Sequence, residues 1–432
     1  MDQIRITGGV ALQGDITISG AKNAALPLMA SCLLTDKPLT LSNVPHLADI
    51  TTMASLLVHL GVLLTVDGTT GDNGEKGRTL MLTASGAIST LAPYDIVRKM
   101  RASVVVLGPL LARFGEAKVS LPGGCAIGLR PINYHLDAFA QMGASISLED
   151  GYVLAKAPSE GLYGADITFP SVSVGATENV LMAATLANGV TTLRNAAMEP
   201  EINDLIDCLC AMGAQISGRG SDALVVTGVD SLTAADHSVL PDRIEAGTYA
   251  IAAAITGGKL VLHKAPVQEM GSTLQALQDA GVVCDYNEEQ KTLSVYQSGA
   301  IKAVNIITRP HPDFPTDMQA QFTALMCLSD GECSVTETIF ENRFMHIPEL
   351  QRMGTDIAID GKTITVTGVP KLHSAEVMAT DLRASVSLVL AALAAEGETI
   401  INRVYHIDRG YERIEEKLRA CGAKIERVRA AL

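Results

Sequence analysis

Residues 138–148 read AFAQMGASISL: apolar side chains at helical spacing, a glycine at 143, then a short alternating strand. Gly143 stands where a helix C-cap stands. The same join recurs as LLVHLGVLLTV (56–66), CLCAMGAQISG (208–218), ALQDAGVVCDY (276–286), ELQRMGTDIAI (349–359) and KLRACGAKIER (417–427). Ahead of these joins run Ala-rich helices and strands, as in LMAATLANGVTTLRNA (181–196), AIAAAITGGKLVLHKA (250–265), ALMCLSDGECSVTET (324–338) and LVLAALAAEGETIINR (388–403). Six units result, spaced by about 70 residues or slightly more, each reading strand, helix, strand, helix, strand, strand. Such a unit is too long for an ankyrin or TPR repeat and has the size of a small βαβαββ fold that needs neighbours to complete its core. Chance α/β alternation would not hold that register six times. The expected class is therefore α/β, with six units in two groups of three.

Length and composition agree. A chain of 432 residues is too long for one ordinary core, and 47% hydrophobic residues with 19% charged suit a soluble α/β protein. Apolar runs such as VVVLGPLLA (104–112) are too short to span a bilayer, and the opening MDQIRITGGV lacks the pattern of a signal peptide. Eight cysteines are scattered, with no CxxC or Cys/His ligand spacing, so neither a metal site nor a disulfide framework is expected and a reducing cytoplasm fits. A formal charge of −14 argues against nucleic acid as a partner, and it means that any anionic ligand must be met by locally gathered cations.

Two stretches look like crossings between the groups: Ile18 to Asn23, where strands give way to a helix, and the polar, proline-bearing HSVLPDRIE (237–245). They divide the chain into residues 22–240 and a second domain made of 1–21 and 241–432, with substrates expected in the cleft between them.

Within the first domain lies Pro122 to His135, PGGCAIGLRPINYH, with three glycines, one cysteine, and an arginine before proline. Glycines let backbone amides approach a ligand, and a thiol in such a loop is a candidate acid or nucleophile; a connector with an incidental cysteine is the plainer alternative. Lys22-Asn23 opens a helix, where phosphate or carboxylate is attracted, although a surface lysine near a cap reads the same way. Arg98, Lys99 and Arg101 precede an apolar helix, ASVVVLGPLLARF, an unfavourable place for cations without an anionic partner or solvent. Ser173-Val174-Gly175 is an anion-binding turn or simply an N-cap. In PHPDFPTDMQAQ (310–321), Asp317 is expected at the first turn of a helix, as a general base, a sugar-hydroxyl ligand or a cap. Arg343, Arg383 and Arg409 stand at joins of the last two units and could converge on an anion with two charged groups.

Taken together, these segments resemble the UDP-N-acetylglucosamine enolpyruvyl transferases of the EPSP synthase-like family. The shared motifs are GAKNAALPLMA (20–30), MRAS (100–103), GGCAIGLRP (123–131), SVGAT (173–177), LPDRIEAGT (240–248), FPTDMQAQ (314–321), TIFENRFMH (338–346), ATDLRAS (379–385) and HIDRGYERI (406–414). The resemblance covers essentially the whole chain. It implies a two-domain inverse α/β barrel of six repeats, and transfer of the enolpyruvyl group of phosphoenolpyruvate to the 3'-hydroxyl of UDP-N-acetylglucosamine with release of phosphate. That is the first committed step of peptidoglycan synthesis, tied to cell-wall biogenesis, shape and division.

By the same resemblance, Cys125 is the proton donor, the site of a covalent phosphoenolpyruvate adduct and the target of fosfomycin. Asp317 faces the reacting hydroxyl, and Lys22, Arg130 and Arg409 hold phosphoenolpyruvate, with Arg343 and Arg383 as further cations. The sugar nucleotide would meet Asn23, Arg101, Arg130, Pro131, Ile132, Asn133, Tyr134, Ser173, Val174, Gly175, Asp317 and Ile339. No cofactor or metal is implied. Ser171 departs from family members that carry lysine there, which puts one uridine-phosphate contact in doubt. Shikimate-type transferases share the chemistry but lack the GGCxIGxRP loop. A non-catalytic sugar-nucleotide-binding paralogue would be expected to have lost Cys125, Asp317 or an arginine.

Overall fold

The computed structural model describes residues 2–68, 77–121 and 132–429. Its six four-stranded sheets each belong to one repeat. In one of them the chain runs through strand Asp166–Thr168, helix Val174–Ala184, strand Val190–Arg194, helix Pro200–Ala211, and strands Gln215–Ser217 and Ala223–Thr227. The first strand pairs parallel with the second, and the last lies between the second and third, antiparallel to both. The other five sheets share this order.

The expected helix–glycine–strand joins are present in all six repeats. Gly61, Gly143, Gly213, Gly281, Gly354 and Gly422 adopt φ between +86° and +104°. At Gly213 the amide of Ala214 reaches back to the Leu209 carbonyl (2.9 Å) and that of Gly213 to Cys210 (2.9 Å), so the last turn's carbonyls are satisfied as the chain reverses.

Two compact units divide between Ser19 and Gly20 and between Leu240 and Pro241. In the unit holding both ends of the chain, strand Gln13–Thr17 pairs parallel with Lys259–His263, and strand Asp2–Thr7 lies between Glu398–Asn402 and Lys424–Arg429. In the other unit, Ala235–Ser238 pairs parallel with Leu39–Val44, so strands far apart in sequence complete its first repeat. Each unit has its own hydrophobic core. In the terminal unit the first helices of the repeats, Arg243–Ile255, Gln319–Met326 and Ala384–Ala394, pack against one another. The first two are buried along their whole length, which explains why their sequences are apolar or small on every face.

Two local expectations differ. The segment after Arg101 is not one helix but a 3-10 stretch, Arg101–Val106, followed by α-helix Leu107–Phe114. Buried Asn179 accounts for the break: its Oδ1 accepts from the Gly108 amide (2.6 Å) and its Nδ2 donates to the Val104 carbonyl (3.0 Å). Those two backbone groups would otherwise bond each other in an α-helix. Asp317 likewise sits in a separate 3-10 turn, Thr316–Met318, with the helix beginning at Gln319.

Candidate active site

In the terminal unit, Pro315 leads into the turn that carries Asp317. Asp317 Oδ1 accepts from Arg343 Nη2 at 2.7 Å, and Oδ2 from Arg383 Nε at 3.1 Å. Both arginine side chains are nearly inaccessible, at 4% and 3%, whereas Asp317 keeps 24% of its side chain open. The carboxylate is thus gripped from beneath and presented outward. Gln321 Nε2 donates to the Asp317 carbonyl (2.8 Å) and fixes the turn itself.

Burial works against the charge on Arg383, but Asp317, then Tyr411 and Asp242, outweigh it and raise its pKa. Its guanidinium lies 5.6 Å from the centroid of the Tyr411 ring, and a side-chain hydrogen bond to Tyr411 adds to the upward shift. The residue stands at the N-cap of helix Ala384–Ala394, where Asp381 Oδ1 accepts from the amides of Arg383 (2.7 Å) and Ala384 (2.9 Å).

Arg409 ends the 3-10 stretch Val404–Arg409. His406 there has its pKa lowered by burial, then by Arg403 and Arg409, with Asp381 opposing. His346 is fully buried and held at about 4 by burial, with Asp381 raising it and Arg343 lowering it. Burial thus disfavours the charged form of both imidazoles. Sequence reasoning missed His346, His406 and the role of Asp381; their only signal was adjacency to Arg343, Arg409 and Arg383. Ile339 has its amide held by Glu337 Oε1 at 2.8 Å.

In the other unit, Lys22 opens helix Lys22–Ser31 and is buried, its Nζ 3.4 Å from Asp49 Oδ2. Asp49, in the first turn of helix Ala48–Leu60, was not foreseen. Asn23, beside Lys22, is half-buried. Ile132 is the N-cap of helix Asn133–Gln141, so Asn133 and Tyr134 form its first turn. Ser173 caps helix Val174–Ala184 by accepting from the Ala176 amide at 3.3 Å, and Val174 and Gly175 follow it.

His135 links these segments. Its Nδ1 lies 3.0 Å from Asn179 Nδ2, whose amide orientation is set by Gly108 and Val104, so Nδ1 accepts and the ring is neutral with its proton on Nε2. Burial, then Arg101, lowers its pKa to about 4. A β-carbon at Gly175 would lie 3.5 Å from the ring. Arg101, residues 132–134 and the 173–175 turn are thus brought around one buried histidine. Cys125, Arg130 and Pro131 lie outside the described residues.

Comparison with known proteins follows the same lines. The family model described as EPSP synthase (3-phosphoshikimate 1-carboxyvinyltransferase) matches residues 6–418. The UDP-N-acetylglucosamine 1-carboxyvinyltransferase of Rhodospirillum centenum is 60% identical over 99% of both chains. That of Paramagnetospirillum magneticum is also 60% identical over 99% of both. Among solved structures, the enolpyruvyl transferase NikO from Streptomyces tendae superposes with a TM-score of 0.87 at 25% identity, covering 100% of this chain and 99% of its own. EPSP synthase from Acinetobacter baumannii shares the fold, with a TM-score of 0.77 at 17% identity over 99% of this chain and 100% of its own. With relatives this similar along the full length, and a fold shared with enolpyruvyl transferases, the chain belongs to the UDP-N-acetylglucosamine 1-carboxyvinyltransferase family.

Proposed function

We propose that the protein transfers the enolpyruvyl group of phosphoenolpyruvate to the 3'-hydroxyl of UDP-N-acetylglucosamine, in the cytoplasm, as the first committed step of peptidoglycan synthesis. The 60% identity to enzymes of that name along the whole chain carries the reading. The geometry around Asp317 supports it. A carboxylate held by two buried guanidiniums and open on one edge is oriented to take the proton of a sugar hydroxyl.

In this reading the sugar oxygen bonds C2 of phosphoenolpyruvate while Cys125 protonates C3. Loss of a C3 proton and of phosphate from the tetrahedral intermediate then gives the enol ether. Lys22, Arg130 and Arg409 bind phosphoenolpyruvate, with Arg343 and Arg383 adding positive charge where phosphate departs. The sugar nucleotide lies along Asn23, Arg101, residues 130–134, the 173–175 turn and Ile339. Cys125 is also the residue that fosfomycin alkylates.

The test is phosphate release from phosphoenolpyruvate, with and without UDP-N-acetylglucosamine, for the native chain and Cys125→Ser. Release that requires the sugar nucleotide and collapses in the variant is expected. Release supported by shikimate 3-phosphate instead would reassign the acceptor, and no release with either would leave a binding protein.

A further inference from the structure

Glu337 follows strand Glu332–Thr336 and is 1% exposed. Its Oε1 accepts from the Thr308 hydroxyl (2.9 Å) and from the amides of Ile339 (2.8 Å) and Phe340 (3.1 Å). Its Oε2 accepts from the Thr316 hydroxyl at 2.7 Å. These donors are all neutral. A carboxylate withdrawn from water and answered by neutral donors is a costly way to fill a core position. What it supplies, and a glutamine amide does not, is acceptor capacity on both oxygens at once.

That capacity sets a direction. The Thr316 proton points to Glu337, so a lone pair of the same hydroxyl faces Arg343 Nη1, which donates to it at 3.0 Å. Arg343 Nη2 is then placed 2.7 Å from Asp317 Oδ1. The other oxygen of Glu337 fixes the backbone at Ile339.

We propose that Glu337 is a positioning residue for the transfer reaction: through Thr316 it aims Arg343, and so Asp317, while its second oxygen sets the Ile339 backbone against the sugar nucleotide. The inference rests on the functional reading above. Glu337 touches no reacting atom and acts through the orientation of groups that do.

The experiment compares the native chain, Glu337→Gln, Thr316→Val and the double variant in the phosphate-release assay with UDP-N-acetylglucosamine, beside their thermal midpoints. Each single variant is expected to lower kcat about tenfold while the KM for phosphoenolpyruvate stays within about twofold. The double variant should be no worse than the poorer single one, because both break the same chain of contacts. Thr316→Ser, which keeps the hydroxyl, should recover native kcat. A folded Glu337→Gln with native kcat, or losses that multiply in the double variant, would overturn the proposal. If Glu337→Gln does not fold, Thr316→Val decides: native kcat in it is equally fatal. A native chain without turnover on this acceptor overturns the functional reading, and this inference with it.

Discussion

Arg383 Nε lies 3.1 Å from Asp317 Oδ2 although 66 positions separate them; Asp317 sits in the 3-10 turn just ahead of the first helix of one repeat and Arg383 at the N-cap of the first helix of the next. Because the repeats present equivalent joins to one another, a carboxylate from one meets a cation from the next. Arg343 completes the grip from the loop after the strand Glu332–Thr336. The chemistry assigned to Asp317 depends on this geometry.

Asp317→Ala is expected to reduce phosphate release by about 10²–10⁴-fold, the range for loss of a positioned base. It should also lower stability, since two buried guanidiniums lose their counter-ion; a decrease of about 2–3 kcal/mol in urea unfolding is consistent with a pair that is partly open on the carboxylate side. Wild-type turnover in the variant would remove Asp317 from the mechanism.

His346 makes stability depend on pH in a stated direction. Its folded value of about 4, against 6.5 for an exposed imidazole, means that between these limits the unfolded chain binds more protons. Stability therefore rises with pH through that window, and is lost as pH falls from about 6.5 toward 4. His346→Leu should lose roughly 2 kcal/mol less than the native chain between pH 7 and pH 4.5, measured by urea unfolding at each pH. Parallel losses would contradict the burial argument.

Two glycines should differ sharply when replaced by alanine. At Gly115, φ is +74° and a β-carbon meets nothing within 4 Å, so Gly115→Ala should cost about 1 kcal/mol of backbone strain. At Gly228 the β-carbon would fall 1.6 Å from the Ala187 carbonyl oxygen. Gly228→Ala should cost about 3 kcal/mol or more, because the clash is with backbone. Comparable unfolding midpoints for the two would refute the comparison.

Ser171 is exposed just before the Ser173 cap. Ser171→Lys should lower the KM for UDP-N-acetylglucosamine by about two- to fivefold at low salt, the scale of an exposed ion pair. The gain should fade as ionic strength rises. A salt-independent KM would argue against a phosphate contact at this position.

Cys125→Asp should retain measurable phosphate release yet resist time-dependent inactivation by fosfomycin, since a carboxyl can still deliver a proton but does not form the thioether. Rapid inactivation of that variant would move the drug's target elsewhere.

Much of this protein was legible in one dimension. Helical spacing, a glycine and a strand are local signals, and the six joins could be read because each is decided within a few residues by the left-handed φ that glycine tolerates. The motifs around Arg383 and Ser173 were legible as well, since each sits at a helix start marked by acidic or hydroxyl residues, whereas Asp317 lies in a separate 3-10 turn ahead of its helix. Tertiary structure alone decided which of these groups face one another. Asp49 beneath Lys22, Asn179 inserted between Val104 and Gly108, and Glu337 behind Thr316 all act across long sequence separations. Their side chains answer hydrogen-bonding groups that burial had left without water, a demand that arises only once the helices and sheets have packed.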